Sequence, residues 1–126
     1  FRASLPGSYR FPLRGDGTQS REFTFVEDVV EATIRAGLHL DDSQLEPLDI
    51  GGGVSASLNE VINIVQEITG SKTRIDNYPL PPGDPKVTTA STTSVKRLLG
   101  WEATTSLMDG LKKQHLSLAQ ELVPTL

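Results

Sequence analysis

Between Ser57 and Gly70 this chain has less conformational freedom than anywhere else. Ser57 and Glu60 stand at the spacing of a reciprocal N-terminal cap. Leu58, Val61, Ile62, Val65 and Ile68 recur on one helical face, and Gly70 supplies the left-handed residue that ends a helix. A helix with one apolar stripe needs a second layer to cover it, so the remaining residues must supply a common core. Just upstream, Gly51-Gly52-Gly53 breaks a short strand expected over residues 47–50. Downstream, residues 73–78 read as another strand. The run Pro79-Leu80-Pro81-Pro82-Gly83-Asp84-Pro85 then sustains neither helix nor ladder, because proline fixes φ and lacks a donor; it reads as a rigid, exposed loop.

The first twenty residues are rich in Gly, Pro, Ser and Arg and read as loop, with residues 10–14 as an extended edge and Gly15-Asp16-Gly17 as a turn. Residues 21–26 alternate, Phe23 and Phe25 on one face and Glu22 and Thr24 on the other, which predicts a half-buried strand. A helix follows with the stripe Val26, Val29, Val30, Thr33 and Ile34, the acidic first turn Glu27 and Asp28, and Gly37 at its C-terminal cap. After Lys86-Val87-Thr88, a short helix turns Val95, Leu98 and Leu99 inward and ends at Gly100. Trp101 is expected to plug the edge of the core. A last helix begins at Ser106, with Asp109 three residues on, and runs along Leu107, Leu111, Leu118 and Leu122. The fold class is therefore α/β, with short strands alternating with about four helices, and 126 residues suit one domain.

Composition excludes several functions. A formal net charge of −4, with twelve scattered basic residues, argues against a nucleic-acid partner. No apolar run approaches the ~20 residues of a membrane helix, and the N-terminus has no signal-peptide core. With no cysteine there is no disulfide or thiol chemistry, in keeping with a cytoplasmic setting. His39 and His115 lack a third ligand at metal spacing, so no metal site is expected, and no serine stands in a Gly-x-Ser-x-Gly elbow. Arg14-Gly15-Asp16 matches an adhesion tripeptide, but the Gly-Asp-Gly turn accounts for it.

Four stretches, in one order and spacing, resemble the NAD-dependent sugar-nucleotide epimerase/dehydratase family, the extended short-chain dehydrogenase/reductases of the UDP-glucose 4-epimerase type. They are Gly15-Asp16-Gly17-Thr18-Gln19-Ser20-Arg21-Glu22-Phe23-Thr24-Phe25-Val26-Glu27-Asp28-Val29-Val30, then Leu48-Asp49-Ile50-Gly51-Gly52-Gly53, then Pro82-Gly83-Asp84 with Val95-Lys96-Arg97-Leu98-Leu99-Gly100-Trp101, and finally Thr105-Ser106-Leu107-Met108-Asp109-Gly110-Leu111. The resemblance runs from about Arg14 to Leu122. It implies a substrate-binding C-terminal domain over residues 21–126, preceded by an edge segment, residues 1–20, left over from a dinucleotide-binding domain. It implies NAD as the cofactor of the complete enzyme, a UDP- or dTDP-type sugar nucleotide as ligand, and a homodimer or the missing dinucleotide-binding domain as partner.

The resemblance also assigns residues. Arg21 matches an arginine that reaches the diphosphate, Phe23 an aromatic beside the nucleotide, and Asp84 a carboxylate that accepts from the ribose. Each has a plainer alternative: a solvated edge charge, a core aromatic, a turn carboxylate. Where many members carry a second phosphate-binding arginine, three residues before the loop aspartate, this chain has Pro81. Ser91 and Ser94 replace an aspartate and a lysine that are common in the family. No catalytic residue is expected, because Tyr9 and Tyr78 are followed four residues later by Leu13 and Pro82 rather than by the lysine of the family's Tyr-x-x-x-Lys pair. These residues are expected to be inactive alone.

Two further readings compete. The chain could be a self-associating binding or assembly module. It could also be a small dinucleotide-binding domain: Gly51-x-Gly53-x-x-Ala56 lies between a strand candidate and a helix, with Asp76 at the end of the next strand. The acidic neighbours Glu46 and Asp49 speak against a central parallel strand there.

Overall fold

In the computed structural model, which describes residues 1–4, 9–39 and 46–121, short strands and four α-helices alternate along the chain. Strand β1 (Phe11–Arg14) and β2 (Ser20–Glu22) precede helix α1 (Val26–His39). β3 (Ser55–Ser57) leads into α2 (Leu58–Thr69). β4 (Ile75–Tyr78) and β5 (Val87–Thr88) precede α3 (Thr93–Leu99) and α4 (Leu107–Glu121). β1 and β4 form a parallel pair, Phe11 opposite Ile75 and Arg14 opposite Tyr78. β2 lies between β3, antiparallel, and β5, parallel. The mixed α/β class read from the sequence is the class observed.

The end signals act as expected. Ser57 Oγ accepts from the Glu60 amide at 3.2 Å, while the Glu60 carboxylate accepts from the Ser57 hydroxyl and amide, each at 2.7 Å, and those two bonds to the carboxylate hold it below its ordinary pKa. Gly70 and Gly100 close α2 and α3 in the left-handed region, at φ of 64° and 59°. Ser106 caps α4 through the Asp109 amide at 3.1 Å. Val95 and Trp101 are fully buried and, with Ala32 and Leu99, form the core between α1 and α3; Leu48 and Ile50 pack against it. The α2 stripe, with Ile62 and Val65 buried, faces α4 and the N-terminal turn. The Leu122 expected on the last stripe lies outside the described residues.

Four expectations are corrected. The strand expected over residues 21–26 stops at Glu22, because both neighbours run out there: β3 begins at Ser55 opposite Glu22, and β5 ends at Thr88 opposite Arg21. Residues 47–50 form no strand and pair with none among the described residues. In α1 the predicted stripe points the other way: Val26, Val30 and Ile34, with Leu38, are more than half exposed, whereas Asp28 and Ala32 are buried. Polar bonding decides that orientation. Asp28 takes hydrogen bonds from Thr104 and Thr105, and Arg35 donates to the Gly100 carbonyl at 2.9 Å. The small Ala32 then lets α1 approach Val95 and Trp101 closely. The helix also passes through Gly37 to His39 instead of ending there.

Candidate functional site

Arg21 sits in the middle of β2, the central strand of the three-stranded sheet. Because Ser20 pairs with Val87, and the Ser20 amide donates to the Lys86 carbonyl at 2.8 Å, the end of the proline-rich loop is drawn against β2. Gly83 at φ 82° and a bond from the Asp84 amide to the Pro81 carbonyl fold that loop into a turn which presents Asp84. Arg21 Nη2 and Asp84 Oδ1 meet at 2.9 Å, and Nη1 donates to the Ser20 carbonyl at 2.8 Å. Each side chain is about 30% exposed: 30% for Arg21 and 31% for Asp84. The pair is thus an accessible charge pair sixty-three residues apart in sequence.

Phe23, 39% exposed, stands on the same side. Arg21, Phe23 and Asp84 line one cleft of about 260 Å³, completed by Arg14, Gln19 and Leu58 among others. All three residues singled out by the sequence therefore come together, and Phe23 is a wall rather than core. Phe23 also borders a larger open depression of about 620 Å³ between the Phe25 segment and α4. That depression is mainly apolar; Gly110 leaves room for the Phe25 ring, and Lys113 lies 4.7 Å from the ring centroid.

Arg14 and Gln19 were not marked by the sequence reading. A signal was present, since the two arginines flank a Gly-Asp-Gly turn, and that turn is tightly built: Asp16 accepts from the Thr18 amide and hydroxyl at 2.9 and 2.6 Å, and Gly15 and Gly17 both adopt φ of 79°. These bonds lower the Asp16 pKa.

Glu22 was likewise unmarked. Its carboxylate accepts from the Gly53 amide at 2.6 Å and the Ala90 amide at 2.8 Å, clamping the glycine loop and the segment after β5 onto β2. This clamp bears on the dinucleotide reading of residues 51–56. A Cβ on Gly51 would stand 2.3 Å from the Glu22 carboxylate, and one on Gly52 would stand 2.2 Å from the Phe23 carbonyl. The glycines serve close approach of the chain to itself, an acid already occupies the loop, and the strand β3 intervenes before α2. Asp76 is bound to Arg10 at 2.6 Å, in the other sheet. Among the described residues no three His, Asp or Glu side chains are grouped to hold a metal ion, and no helix is long and apolar enough to cross a membrane.

Residues 3–51 match the sequence model of the NAD dependent epimerase/dehydratase family. A UDP-glucuronate 4-epimerase of Thermodesulfobacterium geofontis is 36% identical over 100 residues, 79% of this chain and 30% of that protein. The UDP-glucuronic acid 4-epimerase of Bacillus cereus, solved with UDP-glucuronic acid and NAD, superposes with a TM-score of 0.82 at 31% identity. That match covers 89% of this chain and 36% of the other.

The chain belongs to the NAD-dependent epimerase/dehydratase family.

The UDP-glucose 4-epimerase of Thermotoga maritima, solved with UDP-glucose, is similar at the same level: TM-score 0.80, 31% identity, covering 90% of this chain and 36% of that one. The chain spans about a third of the length of these family members.

Proposed function

We propose that these residues are the sugar-nucleotide-binding, C-terminal portion of an NAD-dependent epimerase or dehydratase. The observation that carries the reading is the convergence of Arg21, Phe23 and Asp84 on one cleft. Arg21 offers a planar fork of donors to a diphosphate. Asp84 uses Oδ1 to orient Arg21, and its other oxygen would accept from a ribose hydroxyl. Phe23 offers a flat apolar face to the nucleotide. Relatives solved with UDP-glucuronic acid and NAD, or with UDP-glucose, support the ligand class. No tyrosine here stands four residues before a lysine, so this portion contributes binding and orientation rather than hydride or proton transfer.

Titration of the protein with UDP- and dTDP-sugars, followed by thermal shift, is expected to show binding that Arg21→Ala weakens about tenfold or more, since a charge-assisted contact to phosphate is lost. NAD is expected to give no response. The fold should survive the substitution, because a partly exposed ion pair is worth only about 0–1 kcal/mol. A folded wild-type protein silent to every sugar nucleotide would overturn the reading.

One observation favours a second role. Val26, Val30, Ile34 and Leu38 form an exposed apolar stripe along the length of α1, the kind of surface that is covered by association. A dimer in light scattering is expected, reverting to monomer on Ile34→Glu. A wild-type monomer at high concentration counts against it.

A further inference from the structure

We propose that Arg14 supplies the second guanidinium for a diphosphate in this cleft, in place of the arginine that Pro81 cannot provide. The inference rests on the sugar-nucleotide reading and extends it to a residue outside the motif. A diphosphate brings at least two negative charges, whereas the charge of Arg21 is already met by Asp84 at 2.9 Å. The cleft as built from Arg21 and Asp84 is therefore close to neutral.

Arg14 lines the same cleft. Its side chain makes no ion pair with any of the described residues; its guanidinium lies 6.0 Å from the centroid of the Tyr78 ring. A cation over a ring at that distance gives none of its N–H donors to a carboxylate. Its backbone is fixed on both sides. Arg14 pairs with Tyr78 in the β1–β4 register, the Gly15 amide donates to the Tyr78 carbonyl at 2.9 Å, and the Gln19 side-chain amide donates to the Arg14 carbonyl. The two arginines thus enter from different sheets, Arg14 from the end of β1 and Arg21 from β2. A guanidinium beside a ring, and not paired with a carboxylate among the described residues, can turn toward an incoming anion without giving up an ion pair there.

The test is calorimetric titration of the whole chain with UDP and with uridine, in wild type, Arg14→Gln, Arg14→Lys and Arg21→Gln. Arg14→Gln is expected to weaken UDP about tenfold and leave uridine unchanged, with Arg14→Lys between the two because it keeps the charge and loses the fork. UDP affinity unchanged in Arg14→Gln but reduced in Arg21→Gln would overturn the role of Arg14 and leave the cleft reading standing. Wild-type protein that is folded by circular dichroism yet binds neither UDP nor uridine would overturn both. Equal loss of UDP and uridine in Arg14→Gln would also overturn the proposal, since the effect would not be on phosphate.

Discussion

Trp101→Ala is expected to destabilise the protein by about 3–5 kcal/mol, the largest loss of any single truncation in this chain. Trp101 is 1% exposed and closes the core that Ala32, Val95 and Leu99 share. The reason for the magnitude is local. Ala32 is too small to move into the space an indole vacates, and Val95 is stiff at χ1, so the cavity would persist instead of collapsing. Domains of this size have a total stability of about 5–15 kcal/mol, so the variant would be marginal. Trp101→Phe makes a sharper comparison. The indole N–H is buried with no hydrogen-bond partner among the described residues, and phenylalanine removes that unsatisfied donor while keeping most of the ring. Its cost should be a fraction of the alanine cost. Urea unfolding followed by circular dichroism measures both, fluorescence being unsuitable because Trp101 is the only tryptophan. A loss below about 1 kcal/mol for Trp101→Ala would mean that the core is not packed around the indole.

Residues whose role is set by their immediate neighbours were legible in the sequence. The Ser57–Glu60 cap, the glycines that end α2 and α3, the turn at Gly15 to Gly17 and the proline-rich loop each follow from rules spanning four or five residues, and each is present. The orientation of α1 was not legible, because the inward face was inferred from where valine and isoleucine recur, while the face is chosen by Thr104 and Thr105, more than seventy residues away. The early end of β2 has the same origin, since strand length depends on partners and not on the alternation of Phe23 and Phe25. At the site, Arg21, Phe23 and Asp84 came from motif resemblance, and their convergence needed the β2–β5 pairing to be seen. Glu22 carried no local signal, since a glutamate on a strand reads as solvent-facing, and the signal at Arg14 was only the Gly-Asp-Gly turn that follows it.

The residue that orients α1 is the subject of the second large effect. Asp28→Ala is expected to cost about 2–4 kcal/mol, because a buried carboxylate that accepts several hydrogen bonds would disappear and leave its donors behind. Asp28 is 4% exposed; Oδ1 accepts from the Thr104 amide at 3.3 Å and hydroxyl at 3.1 Å, and Oδ2 accepts from the Thr105 amide at 3.1 Å. Burial by itself pushes the Asp28 pKa up, but the bonds from Thr105 and Thr104 together outweigh it, and the net shift is downward. A carboxyl whose pKa is lower in the folded protein than in the unfolded chain adds stability above the unfolded value, and that stability is lost as pH falls through the folded one. The contribution of Asp28 should therefore be complete at neutral pH and fade below about pH 5. Asp28→Asn separates charge from shape. The amide has one accepting oxygen, so its NH2 must face a backbone N–H whichever way it is turned, a mismatch that a change of rotamer cannot relieve. Wild type should exceed the asparagine variant clearly at pH 7, and the two urea midpoints should draw together as pH falls through the lowered pKa of the folded carboxyl, below which the protonated acid also carries a donor. A gap that stays constant across that range would show that packing at Asp28, and not its charge, holds α1 against the segment at Thr104 and Thr105.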